Sequence, residues 1–226
     1  MKRFVILFVL VAVVLFAQDA SQFAQAQKDN AAKLKEYTWK SRTELKLKGE
    51  SKKITLEQVR YDMDGQLQKT PIGGAPEAQQ QQQQQSSGGR SGGRLKQKII
   101  EQKKEEFADT MKGLVQLASS YASVKPEKWQ QFMQTATKSQ ENGVVKISGK
   151  GVQLPDDSVA ICVNPQNWML QRVEIQTIYD KNPVSIKLEY KSIQDGPTYP
   201  GRTSLSYPAK QIELTVDNYD HQKLGS

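Results

Sequence analysis

One cysteine and one histidine are all that 226 residues hold of the two side chains most used in covalent and metal chemistry. A lone Cys162 cannot form an intrachain disulfide, so the fold must rest on a hydrophobic core. Cys162 reads as a quiet structural thiol in a strand. The lone His221 lies five residues from the C-terminus, between Asp220 and Gln222, and reads as a surface tail residue. Histidine general acid–base work, a histidine-activated nucleophile and a zinc site built on several histidines all need more than this. No phosphate-binding loop or dinucleotide fingerprint is present. The expectation is therefore no enzyme: no catalytic residue, no metal ligands and no cofactor. Beyond residue 17 there is no apolar run long enough to span a membrane.

What is present begins with an address. Lys2 and Arg3 precede an unbroken apolar run from Phe4 to Ala17, followed by small and polar residues. This is the layout of a secretory signal peptide over residues 1–17; the alternative is an uncleaved anchor. No cysteine lies just after the run, so no site for bacterial-type lipid attachment is expected. The chain is expected to be exported, to the periplasm or, in a host without an outer membrane, to the medium, with no stable membrane insertion. The formal charge of +8 would suggest nucleic acid inside a cell. Spread among acidic neighbours in an exported chain, it describes a solvated surface and no nucleic-acid partner.

Residues 18–226 are long enough for one domain with a sizeable core. Asp19 to Glu36, rich in Ala, Gln and Lys, predicts a helix. Trp39 to Lys48 alternates strictly, with Trp39, Ser41, Thr43, Leu45 and Leu47 on one face and charged residues on the other. That is a strand covered on one side only. Lys53 to Met63 reads as its return, and Asp64-Gly65 as a tight hairpin into Gln66 to Thr70. Residues 73–94, with seven consecutive glutamines (Gln79 to Gln85) and a glycine-rich stretch, predict a disordered insertion within the domain. Leu95 to Tyr121 predicts a long helix and Pro126 opens a second, expected to end at Asn142-Gly143. Six strands should follow, between Val144 and Tyr219, broken at proline- and asparagine-rich turns. This order gives an α+β fold, a curved antiparallel sheet wrapped over two or three helices.

Few motifs survive scrutiny. Asp62-Met63-Asp64-Gly65 resembles part of a calcium loop, but Arg60 and Pro71 fall where ligands belong, so a turn is expected. Asp156-Asp157, in a proline-led turn, reads as solvent-facing. Two Gly-Gly-Arg units without aromatics read as linker. The lysines near the start of the long helix are interleaved with Glu101, Glu105 and Glu106 and read as an ion-paired face. The apolar stripes of the two helices admit two readings, plain core or the lining of a cavity opened by an apolar ligand. In the second, the ligand-binding candidates are Phe107, Met111, Leu114, Ala118, Trp129, Phe132 and Met133.

The segments "VEIQTIYDKNPVSIKLEYKSIQDG" from Val173, "YPGRTSLSY" from Tyr199 and "IELTVDNYDHQKL" to Leu224 resemble the LolA/LolB-like superfamily of periplasmic lipoprotein carriers. The opening "YTWKSRTELKLKGESKKITLEQVRYDMDGQLQKTPIG" (Tyr37 to Gly73) resembles a group of exported bacterial proteins of unassigned function. The resemblance implies an unclosed half-barrel with helices covering its concave face, and residues 18–226 as one LolA-like domain. It transfers no individual residue. Two functions follow as expectations. One is a carrier or sensor for a lipid-like ligand, such as a lipid or lipoprotein acyl chain, in the concavity. The other is an envelope interaction module with a filled core that docks another envelope protein through an edge strand or the disordered arm.

Overall fold

A computed structural model describes residues 21–73, 92–122 and 124–225. The expected signal peptide and most of the expected insertion lie outside these residues. Helix α1 (21–34) leads into strands β1 (Tyr37–Leu47), β2 (Glu50–Tyr61) and β3 (Leu67–Pro71). Helices α2 (Gly92–Ala122) and α3 (Pro126–Thr135) follow, with α2 opening three residues before the expected Leu95. Seven strands complete the chain: β4 (Thr137–Glu141), β5 (Val144–Lys150), β6 (Ser158–Val163), β7 (Leu170–Tyr179), β8 (Asn182–Ser192), β9 (Thr198–Tyr207) and β10 (Ile212–Lys223).

The ten strands of the described residues form one antiparallel sheet in the order β3-β2-β1-β10-β9-β8-β7-β6-β5-β4. β3 and β4 are its two edges, so the sheet is not closed. It is the α+β antiparallel sheet with helices that the residue pattern predicts, unclosed as the resemblance implies. Because β3 and β4 are consecutive strands at opposite edges, the chain between them must travel from one edge to the other. Helices α2 and α3 make that crossing.

The register explains the two faces. Leu45, Leu214, Leu205, Ile186, Ile175 and Val159 stand directly opposite one another across six strands, an apolar row on the concave face. One pleat over, Arg42, Asp217, Arg202, Glu189 and Arg172 form a row of alternating sign on the convex face. Opposite charges placed face to face on neighbouring strands stabilise that pairing and no other. Arg202 holds Asp217 at 2.6 Å. Cys162, next in this row, is buried and accepts a long contact from the Arg172 guanidinium at 3.7 Å.

The helices seal the concave face over β5 to β9. Leu114, Tyr121 and Phe132 are buried in the main core, with Phe107, Met111 and Trp129 packed against it. Residues 97–106 of α2 are exposed throughout, so only its second half is a core element. At Gly113 the helix lies against the Tyr179 ring where a β-carbon would be.

Two sequence readings are corrected here. Helix α3 ends at Thr135, not at Asn142-Gly143: Ala136 is extended, and Thr137–Glu141 is an edge strand paired with β5. Its all-polar sequence carries no alternation because both faces are wet. Asn142-Gly143 is instead the two-residue turn of the β4–β5 hairpin, both residues at positive φ (50° and 76°), the pairing such turns favour. The turn between β7 and β8 falls at Asp180-Lys181, leaving Asn182-Pro183 inside β8.

Candidate ligand-binding site

Strand β10 alternates Ile212, Leu214, Val216 and Asn218 onto the concave face, opposite Leu47, Leu45, Thr43 and Ser41 of β1. Strict alternation would next turn Asp220 inward. The pairing with β1 instead slips by one residue between Thr38 and Lys40, so Asp220 and His221 together oppose Trp39. Asp220 takes φ +55°, a left-handed conformation that aspartate tolerates better than most side chains. A bulge of this kind re-aims the side chain that follows it. Asp220 turns outward to Lys40, 2.6 Å from its ammonium, and His221 turns inward.

His221 is therefore no surface tail residue. Its ring stacks on Trp39 (centroids 5.6 Å apart, planes 12° apart) and packs on Tyr199 (3.7 Å, 37°). Trp39 in turn meets Tyr61 at 5.7 Å. These four rings line a cavity of about 230 Å³ at the β1–β2–β3 end of the concave face. Val59 stands between Trp39 and Lys69 in the sheet register, and all three line the cavity. Val216 and Asn218 supply the β10 wall, and Leu34 of α1 contributes from the helix.

Helix α1 is held in place by side chains that imitate strand pairing. Asn30 donates to the Thr198 carbonyl and accepts from the Thr198 N–H, both at 2.7 Å. Gln27 donates to the Trp168 carbonyl at 2.8 Å, and the Trp168 indole donates to Gln22 at 2.9 Å. These bonds fix the helix across the concave face and deliver Leu34 to the cavity.

The chemistry of the cavity is apolar and aromatic with a few polar points. Burial lowers His221 to about 4, with nearby Asp220 opposing the shift, so its imidazole is neutral at neutral pH. Its Nδ1 is buried without a hydrogen-bond partner. Burial also pushes the Tyr61 phenol up, so it stays protonated. Among the described residues, no group of three or more His, Cys, Asp or Glu is placed to hold a metal ion. No described helix is long and apolar enough to cross a membrane.

Asp157, read from sequence as solvent-facing, is 1% exposed. Its carboxylate accepts the backbone N–H groups of Val152, Gln153 and Leu154 at 2.8–3.0 Å and the Tyr121 hydroxyl at 2.8 Å. The Asp-Asp pair is thus split, with Asp156 exposed and Asp157 acting as an internal clamp between α2 and the β5–β6 loop.

The seven ligand-binding candidates from sequence lie together, but under the other half of the sheet. Leu114 and Phe132 are almost wholly buried, at 1% and 2% exposed. Phe107, Met111, Ala118, Trp129 and Met133 are partly buried against the same core. None of the seven lines the cavity around Trp39. The residues that do line it gave one sequence signal, the break in the alternation of β10 at Asp220-His221.

No protein-family model matches the chain, and no curated protein matches it. Three solved structures are similar to it. A LolA superfamily protein from Nitrosomonas europaea is 11% identical over 88% of this chain and 93% of that one, with a TM-score of 0.36. A protein domain attributed to outer membrane lipoprotein sorting, from Vibrio parahaemolyticus, is 11% identical over 90% and 92%, with a TM-score of 0.42. A DUF1329 family protein from Desulfovibrio piger is 8% identical over 92% of each chain, with a TM-score of 0.40.

Proposed function

We propose that this protein is an exported, non-enzymatic carrier or sensor that holds a lipid-like ligand on the concave face of its half-barrel. The observation that carries the reading is the cavity walled by Trp39, Tyr61, Tyr199 and His221. At the roughly 30 Å³ a water occupies in the liquid, about 230 Å³ has room for seven or eight waters, or a chain of similar length. About 0.8 kcal/mol per buried methylene gives such a chain roughly 6 kcal/mol of gross affinity, without covalent chemistry. In this reading the stripe from Phe107 to Met133 is the cover of the remaining concave face, and its parting would lengthen the cavity for a longer chain.

Two polar clusters support a non-enzymatic role. Asp157 spends its oxygens on structural hydrogen bonds, and His221 is stacked between aromatic rings with no nucleophile bonded to it.

Native and denaturing mass spectrometry of protein recovered from a bacterial periplasm, followed by solvent extraction, tests the reading. A bound lipid mass that extraction removes is the expected result. A clean apo mass, together with no response to added single-chain amphiphiles, would sink it. That outcome would leave the second reading, an envelope interaction module docking through a sheet edge. Strand β3 favours it, an edge strand with one side unpaired and all five residues exposed.

A further inference from the structure

The aromatic cavity is electrically balanced. Lys69 is the only Lys, Arg, Asp or Glu among its lining residues, and burial keeps the His221 imidazole neutral at neutral pH. Glu57 stands on the same concave face, opposite Ser41, and its carboxylate holds the Lys69 ammonium at 3.8 Å. An anionic head would have to share Lys69 with that carboxylate, and a cationic head would meet the lysine itself. Like charges so close repel, so a head of either sign finds no unmatched partner here.

What the wall offers instead is neutral hydrogen bonding. Ser41 lines the cavity at 3% exposed, and its hydroxyl has no hydrogen-bond partner among the described residues. A buried hydroxyl without a partner costs free energy that a ligand group can recover. Asn218, opposite Ser41 on β10, spends one amide N–H on the Pro200 carbonyl at 2.9 Å, which leaves its oxygen and its second N–H. The next inward row carries Thr55, Thr43 and Thr203 beside Val216. A band of hydroxyl and amide groups thus separates the aromatic rings from the apolar row through Leu45. A ligand hydroxyl both donates and accepts, so it satisfies Ser41 and Asn218 without bringing a charge into the cavity. Resting on the carrier reading above, we infer that the ligand is a single-chain lipid with an uncharged head bearing vicinal hydroxyls, as in glycerol or a sugar. The head bonds Ser41 and Asn218, and the chain lies against Trp39, Val59 and Leu34.

The test is titration calorimetry on the purified protein at pH 7.5, with five eight-carbon ligands below their micelle concentrations. They are 1-octanoylglycerol, octyl glucoside, methyl octanoate, octanoate and octyltrimethylammonium. The tighter of the two hydroxylated ligands should bind about tenfold better than methyl octanoate and than either ion, the order of one or two hydrogen bonds. Octanoylglycerol ahead identifies a glyceride, and the glucoside ahead identifies a glycolipid. Ser41→Ala removes one oxygen from a strand, so it should keep the wild-type circular dichroism and melting temperature. It should cancel the hydroxyl advantage and leave methyl octanoate unchanged. Glu57→Gln, which unpairs Lys69, should tighten octanoate several-fold. Methyl octanoate or either ion matching the hydroxylated ligands, or an advantage that survives Ser41→Ala, would overturn the head-group assignment and leave the carrier reading standing. Failure of all five to bind would overturn both.

Discussion

The Tyr121 hydroxyl lies 2.8 Å from Asp157 Oδ2 and 2.7 Å from the Thr177 hydroxyl, joining helix α2, the β5–β6 loop and strand β7 at one buried point. A phenol has one proton, which goes to the carboxylate; Thr177 donates in return. Burial alone would raise the Asp157 carboxyl. The N–H groups of Leu154 and Gln153, the Tyr121 hydroxyl and the Val152 N–H outweigh it and hold the group below the usual carboxylate range.

Asp157→Asn keeps the shape but puts an amide N–H₂ either where Oδ1 accepts from the Val152 N–H or where Oδ2 accepts from the Gln153 and Leu154 N–H groups and the Tyr121 hydroxyl, so at least one donor is left facing a donor. We expect a loss of about 3 kcal/mol, the order of a charge-assisted bond plus an orphaned donor, read by urea denaturation at pH 7. The wild-type contribution has a defined pH dependence. Since the native carboxyl lies below the unfolded value of about 3.9, its stabilisation is complete above about pH 5 and is lost as pH falls through the native value. The variant should lack that part of the acid limb.

His221 works in a different window. The unfolded imidazole binds a proton near its ordinary 6.5, and burial lowers the native one to about 4. Between these values the unfolded chain holds the extra proton, so stability falls as pH drops from 6.5 to 4. Asp220, already bonded to Lys40, opposes this shift without overcoming it, and Glu57, the carboxylate on the concave face, is paired with Lys69. His221→Phe should flatten this segment of the stability curve while preserving the stack on Trp39. Urea midpoints at pH 7, 5.5 and 4.5 would show it, and an unchanged slope in the variant would count against a buried neutral histidine.

Gly113 is ordinarily a weak choice in mid-helix, where alanine is favoured by about 1 kcal/mol. Here an added methyl would run into the Tyr179 ring, itself packed edge-on against Tyr207 at 5.8 Å. Gly113→Ala should therefore destabilise, by about 1–3 kcal/mol as overpacking does. A stabilised variant in thermal melts would show that α2 can lift off the sheet at little cost.

Val216 lines the cavity from the middle of β10 and is only partly buried. Val216→Trp should fill the space with little loss of stability and weaken binding of a ten-carbon amphiphile by about tenfold or more, equivalent to about 1.4 kcal/mol. Calorimetric titration checks the affinity and a thermal melt checks the fold.

The antiparallel sheet with one covered face was legible in the sequence because its long strands obey a period of two with unlike faces, as in Trp39 to Leu47 and Val184 to Tyr190. Strand β4 was not, since Thr137–Glu141 has no buried face and so no alternation to read. The two helical stripes were legible as amphipathic periodicity. Their residues proved to be packed beneath β5 to β9, because periodicity reports which side is apolar and not whether space remains beside it. The cavity around Trp39 depends on a one-residue slip between β1 and β10. Sequence marks such a slip only by a change of phase at Asp220-His221, which local reading takes for the end of the strand. Asp157 was missed for a related reason: its partners include Tyr121, separated from it by 36 positions.

The pairing of β1 with β10 has a consequence for how the molecule assembles. Every other strand contact joins strands adjacent in the order β1 to β3 or β4 to β10, so each of these groups can zip up from local hairpins. The seam between them joins the first strand to the last, the most distant pairing the sheet contains, and closing so long a loop is slow. Before that seam forms, β1 and β10 are two unpaired edges, and the aromatic cavity, which draws walls from both sides, does not exist. Ligand binding should then act as a late clasp, slowing the separation of two units that each fold first on their own.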